Sequence, residues 1–432
     1  MGGTDTTMLV VSSVIGVGIF FTPGAVAARL PDPSLFLLAW VVGGALSLAG
    51  ALANAELGTL YPRAGGDYVY LRYAFHPTAG FLVGWLSFFA IYTGTIATLA
   101  TGFAEGLAVF VPLGAGERIA VAVLVTLATS WVNHRGLRLG ANFNTWTAWA
   151  KILTLAIFVI GGFAMTPAPA PPSAAIPLVS ATPLLLGFTL ALSPILFSFL
   201  GWNAPVFVAS EIQDPARTLP RSLFVGLAIC TALYLVTNAV YLHAMPIDIL
   251  ATQSSAGSAA ALSLFGPWGG SLTSGLILLS ILGCLNATVL VGPRIAYAMA
   301  IDGLFFRGAE RIHAQHGSPH IAIWIQAVGA CLLILVLRSF PNILDYTTFA
   351  IILATIADVA ALYALRRRQP ERPRPYRAWG YPLVPALYIV ANLMIAAALL
   401  WARPFECAIA LAVLASGLPF YRWFQRHPGS AL

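Results

Sequence analysis

Twelve apolar stretches follow one another along this chain, near residues 8–28, 35–60, 79–111, 118–133, 143–165, 180–209, 219–244, 260–300, 320–338, 343–365, 381–401 and 404–424. Each approaches or exceeds the roughly 20 residues that a helix needs to cross a bilayer core about 30 Å thick. Soluble domains carry about 25% charged residues; this chain carries 9%, against 59% hydrophobic. The runs are apolar on every side and lack the roughly 10-residue alternation of outer-membrane barrels, so a barrel is not expected. The expected fold is an all-α polytopic membrane protein of about twelve transmembrane helices, numbered here one to twelve in chain order.

Arginine placement gives the orientation, because short loops rich in Arg or Lys stay in the cytoplasm. With the N-terminus inside, only Arg29, Arg118, Arg338 and Arg403 fall on the far side, and every other arginine collects on the near side. Both termini are therefore expected in the cytoplasm, in a multi-pass protein of the cell (plasma or inner) membrane. Anionic membrane lipids beside the run Arg366 to Arg377 account for the net charge of +7, and no nucleic acid partner is needed. Met1 to Thr7 has no basic n-region and no small-residue cleavage site follows, so the first helix is expected to stay. The cysteines stand alone in separate apolar runs and read as small core residues, offering neither a disulfide framework nor a CxxC metal site. No metal, no cofactor and no enzymatic chemistry is expected.

Lys151 is the only lysine, and it lies inside the apolar run Trp146 to Phe158. A charged group near the bilayer centre costs about 2.5–3.5 kcal/mol on insertion scales, so an intramembrane lysine points to function. If helix five begins near Asn142, Lys151 lies ~13 Å in, farther than a stem of about 6 Å spans to reach water. Snorkelling or a structural ion pair is the bland reading; a role in binding or coupling is the sharper one.

Two helices are interrupted at mid-depth, and each opens one half of the chain. In helix one the break is Ile15-Gly-Val-Gly-Ile-Phe20; in helix six it is Phe197-Ser-Phe-Leu-Gly-Trp-Asn203, preceded by Pro194. Glycine makes unwinding cheap, although glycines in membrane helices also serve close packing. Discontinuous helices at matching places in two halves point to the central site of a transporter with inverted repeats. A broken helix offers free N–H groups and a positive dipole end to an anion, and free carbonyls to a cation. An amino acid zwitterion fits both. The Pro/Ala segment 166–183 divides the chain, so the expected organisation is a first five-helix repeat over 1–165, a second over 184–368, and helices eleven and twelve with a short tail over 369–432.

At this point the sequence closely resembles the amino acid–polyamine–organocation superfamily, and within it the L-type amino acid transporter-like permeases. The resemblance rests on Val14-Ile-Gly-Val-Gly-Ile-Phe20, on Ala55-Glu-Leu-Gly-Thr-Leu-Tyr-Pro-Arg-Ala-Gly-Gly-Asp-Tyr68, and on Phe197 to Asn203. It extends to Glu211-Ile-Gln-Asp-Pro-Ala-Arg-Thr-Leu-Pro220, Gly292-Pro-Arg-Ile-Ala-Tyr-Ala-Met-Ala-Ile-Asp-Gly303 and Arg374-Pro-Tyr376. It implies a LeuT-type 5+5 inverted repeat plus two peripheral helices, working by alternating access on a small-molecule amino acid. By the family pattern, N–H groups around Gly16, Val17 and Gly18 take the substrate carboxylate. Carbonyls near Val14, Ile15, Phe197, Ser198 and Leu200 take its ammonium, and Phe197 is an aromatic gate, with Phe199 inside the same break. Lys151 matches a helix-five lysine that stands in for a sodium ion, which implies sodium independence.

Departures from the pattern bear on the substrate. Val17 replaces a common Ser, and Ser198 a common Ala. Leu200 stands where an acid would suit a cationic side chain, which favours a neutral substrate over a cationic amino acid or polyamine. Asn203 reads equally as a substrate contact or as a hydrogen bond to a neighbouring helix. Glu105 and Asp358 are candidates for a proton path, or else sit at a membrane boundary or in a local pair. Glu56, Arg63, Glu211 and Arg217 are expected to form a cytoplasmic gate network. Exchange and proton symport both remain open, with protons a candidate partner, and a non-transporting sensor or subunit is the rival class.

Overall fold

The computed structural model describes residues 1–61, 66–135, 137–168, 183–207, 212–313, 315 and 317–426, with the backbone alone over 137–150. Arg63, Glu211 and most of the expected 166–183 linker lie outside these residues. The described residues form helices and no strand, as the apolar runs require.

Helix one of the sequence is two pieces, α1 (Gly3–Val14) and α2 (Gly18–Arg29), bent by 51° at the intervening residues. Next comes α3 (Pro33–Leu60), opened by Pro33 and by Asp32, whose carboxylate accepts from Leu35 N at 2.9 Å. A short α4 (Asp67–Ala74) precedes α5 (Pro77–Leu86), which runs through a π-helical turn at Ser87–Tyr92 into α6 (Thr93–Leu107). Thr93 Oγ1 donates to Phe88 O across that wider turn at 2.7 Å. Then follow α7 (Ala115–Arg135) and α8 (Leu137–Ala164).

The second half opens with α9 (Leu184–Ser198) and the single turn α10 (Ala204–Phe207), then α11 (Pro215–Ala244) and another single turn, α12 (Ile247–Leu250). A long α13 (Ala256–Val291) kinks where Gly266 takes φ +70°, just before Pro267, and continues as α14 (Pro293–Ile301). The chain closes with α15 (His320–Leu337), α16 (Phe340–Arg368), α17 (Leu383–Ala402) and α18 (Pro404–Arg426).

Among the described residues nine helices are long and apolar enough to cross a membrane, or ten when the bent α1–α2 pair is one span. The sequence expectation of about twelve exceeds that number by two shorter apolar helices, Leu184–Ser198 and the described part of α8, Lys151–Ala164.

The broken helices lie at the centre. α1 packs on α11, α2 on α9, and α8 on α13, while α17 and α18 lie against α16. Apolar helices gain nothing by leaving lipid for one another, so close backbone approach and buried polar pairs carry the specificity. Gly226 faces Val10, and Asn133 donates to Asn286 at 2.8 Å between α7 and α13. Outward-facing side chains such as Leu124, Ile160 and Leu185 are apolar and exposed, as a lipid-facing surface requires.

Candidate functional site

Breaking a helix at Ile15–Val17 removes the partners of three carbonyls, because Ser12, Ser13 and Val14 would each have accepted from the residue four places on. Ile15 N still reaches Val11 O at 2.9 Å, which ends α1. Each of the three carbonyls then meets a group from elsewhere in the chain. Lys151 Nζ lies 3.5 Å from Ser12 O and 3.1 Å from Cys284 Sγ. The Tyr234 hydroxyl lies 2.8 Å from Val14 O. Ser13 O lies against Gly201, where a Cβ would come within 2.5 Å of it.

On the other side of the break α2 begins with exposed backbone donors. Phe20 N and Phe21 N fold back onto Val17 O at 3.1 and 3.3 Å. The Gly16 N–H faces the Tyr234 hydroxyl. Among the described residues no acceptor pairs with the N–H groups of Val17 and Gly18. The C-terminal dipole end of α1 thus faces the ammonium of Lys151, and the N-terminal dipole end of α2 is open to an anion. Lys151 is 5% exposed, so its charge is held inside the bundle and does not reach out along the helix to water.

The second break is built differently. Pro194 lies in the last part of α9, which ends at Ser198, and the backbone closes a tight turn, with Phe199 N donating to Ile195 O at 3.1 Å and Leu200 N to Phe197 O at 3.0 Å. Gly201 takes φ +110°, a region open to glycine and costly for other residues, and Ala204 N donates to Gly201 O at 3.0 Å to start α10. Phe197 is buried in the last turn of α9, and Leu200 and Asn203 are half-buried. Phe199 is fully buried against Tyr234 and Trp40, with ring centroids 5.0 and 6.5 Å away.

The two breaks touch directly. A Cβ on Gly18 would stand 2.5 Å from Ser198 Cα, so only glycine allows this approach. Thr22 and Ser198 hydroxyls lie 2.9 Å apart, and Ser198 Oγ also donates to Pro194 O at 2.8 Å. The Tyr234 hydroxyl, already on Val14 O, is 2.9 Å from Ser198 O. It has one proton, so it satisfies one of these two carbonyls fully at a time.

The structure therefore brings Val14, Ile15, Gly16, Val17, Gly18, Phe197, Ser198, Phe199 and Lys151 to one place. It adds three residues that the sequence did not single out. Tyr234 looked like any aromatic in a membrane helix, Thr22 like a helical threonine, and Cys284 like core. Cys284 is a correction to the reading of all four cysteines as packing alone, since its sulfur is a neighbour of the lysine ammonium.

Two other expectations are redrawn. Glu56 does not meet Arg217, which pairs with Asp214 three residues away at 3.9 Å in exposed surface. Its carboxylate is instead enclosed by Arg366 at 2.6 Å, Arg374 at 3.1 Å and Ala378 N at 2.6 Å, tying α3 to the end of α16 and the loop beyond. Glu105 sits in the last turn of α6, 3.9 Å from Arg118 at the start of α7, a local pair at the end of a span. Asp358 is buried in α16.

Crossing half-helices whose loose ends meet at the centre of a helical bundle define the class of secondary transporters. The chain belongs to the Amino acid permease family, whose profile matches residues 2–408, and it is a multi-pass membrane protein. It is similar to the serine/threonine exchanger SteT of Bacillus subtilis (strain 168), 31% identical over 98% of this chain and 96% of that protein. It is also similar to the human large neutral amino acids transporter small subunit 2, 29% identical over 96% of this chain and 78% of the relative. The mouse Asc-type amino acid transporter 1 is 26% identical over 98% and 80%.

Proposed function

We propose that this chain is a sodium-independent transporter that exchanges neutral amino acids across the cell membrane by alternating access. One observation carries the reading: two helix breaks meet, the first presenting N–H groups with no acceptor among the described residues together with loosened carbonyls, and a buried lysine lies at the end where a cation would be needed. The carboxylate of the substrate binds at Gly16, Val17 and Gly18. Its ammonium lies among the carbonyls near Val14, Ile15, Phe197, Ser198 and Leu200, two of which it shares with the Tyr234 hydroxyl. Lys151 supplies a fixed positive charge at the C-terminal end of α1, where a sodium ion is then not required. Leu200 offers no countercharge to a cationic side chain, and the neutral or hydroxylated amino acids named for the relatives agree with that.

In this reading residues 1–165 and 184–368 are the two repeats that rock about the breaks, and both termini face the cytoplasm. The test is uptake of labelled serine, alanine, leucine and arginine into proteoliposomes in sodium-free buffer, with and without internal amino acid. Uptake of the neutral amino acids that depends on internal amino acid is the expected result. A need for sodium would overturn the role given to Lys151, and a preference for arginine would overturn the role of Leu200. The absence of all uptake would favour a non-transporting sensor.

A further inference from the structure

Away from the breaks, α4 lays its first residue against two membrane helices. The Asp67 carboxyl is in hydrogen-bonding contact with that of Asp358 on α16, and the Asn54 side chain of α3 contacts both. Asn54 Nδ2 donates to Asp358 Oδ2 at 3.3 Å. Asp358 is 1% exposed, Asn54 3% and Tyr70 0%. Among the described residues no donor reaches the buried Asp358 Oδ1 or Asn54 Oδ1, and the buried Tyr70 hydroxyl has no hydrogen-bond partner. The groups that face the pair are the tyrosines Tyr70 of α4, Tyr92 of the π turn and Tyr388 of α17. No basic side chain is among the described groups acting on either carboxyl.

Two ionised carboxylates in contact, one of them buried and with no cation among the described groups acting on them, repel strongly. One proton between them removes a charge and turns the repulsion into a short, strong hydrogen bond. We propose that Asp67 and Asp358 form a proton-binding site that holds α4 onto α3 and α16, and that loss of this proton frees α4 and sets the rate of transport.

The position fits that role. Asp358 lies ten residues, or ~15 Å, inside the arginine-rich end of α16. At its other end α4 is held by an ion pair and an arginine–carbonyl contact. Arg72 pairs with Asp302 at 2.8 Å, and Arg368 donates to Ala74 O at 2.7 Å. Burial raises the Asp67 carboxyl from 3.8 to about 6, so the folded chain retains a proton that the unfolded chain releases in that window. Rising pH through the window therefore weakens the contact, and falling pH restores it.

The inference rests on the transport reading above, and the experiment separates the two. Amino acid exchange is measured in proteoliposomes with equal pH on both sides, from pH 5 to 8, in choline and in sodium buffers, for wild type, Asp67→Asn and Asp358→Asn. Wild type is expected to change rate at least about fivefold along a one-proton curve, and both variants, which mimic the protonated state, to be flat. A wild-type profile that is flat, or that survives in both variants, overturns the site. Exchange absent in wild type at every pH instead overturns the transport reading. The second measurement, independent of transport and of variant folding, is the infrared carbonyl band of a protonated carboxyl in purified wild-type protein. It should titrate between pH 5 and 8. Its absence, or its loss when sodium replaces choline at fixed pH, overturns proton binding.

Discussion

The two helix breaks do the same thing to the backbone and are held in opposite ways. In the second, the turn from Phe199 to Ala204 satisfies itself through bonds from Phe199 N, Leu200 N and Ala204 N within the same segment. In the first, the carbonyls of Ser12 and Val14 depend on side chains brought from α8 and α11. A break closed by its own backbone is stiff, whereas one closed by distant side chains can exchange its partners. The unpaired N–H groups of Val17 and Gly18 lie on this second kind of break, where an arriving carboxylate competes with little. The Tyr234 hydroxyl bridges the two, because it reaches Val14 O and Ser198 O.

The largest expected effect comes from prising the breaks apart. Gly18→Ala would drive a methyl group into the backbone of Ser198, where no rotamer change relieves it, and should cost about 1–3 kcal/mol or more together with transport. A thermal melt of the purified protein within a degree or two of wild type would show that the breaks do not pack as described.

Next is the charge on the first break alone. Lys151→Ala leaves Ser12 O without its cation, a loss of about 1–3 kcal/mol, so transport should fall roughly ten- to a hundredfold at unchanged membrane abundance. Wild-type exchange rates would mean that the lysine does not hold this break. Tyr234→Phe keeps the ring packing on Trp40 and Phe199 and deletes only the hydroxyl, for about 1 kcal/mol. If the hydroxyl links the two breaks, combining it with Lys151→Ala should be less than additive in exchange rate; strict additivity would separate them. The smallest effect is expected from Thr22→Val, which removes the contact to Ser198 where the second break already satisfies itself. A change beyond about 1 kcal/mol in a melt would make the second break less self-sufficient than its backbone suggests.

The proton site extends the contrast between local and distant closure. Asp67 and Asp358 are separated by most of the chain, and each alone reads as a loop acid or a stray intramembrane carboxylate. The sequence raises Asp358 as a candidate for a proton path and groups Glu56 with Arg63, Glu211 and Arg217 in a gate network. It names neither Asp67 nor the Arg366 and Arg374 that enclose Glu56, because pairing depends on how α3, α4 and α16 cross.

What the sequence determined by itself was everything set by local backbone chemistry. Apolar length dictated helices that span a bilayer, glycines beside an apolar run marked where two of them come undone, and an isolated lysine in such a run marked a place where charge must be answered. Each is a property of a few neighbouring residues, since a helix in lipid must satisfy its own backbone groups or stop. The tertiary structure decided who answers. The groups that satisfy the first break come from Lys151 and Tyr234, well over a hundred residues away. The proximity of Gly18 to Ser198 and of Asp67 to Asp358 likewise follows from packing across the whole bundle. A loose carbonyl announces itself in the sequence; its partner is fixed only by the packing of side chains that the sequence holds far apart.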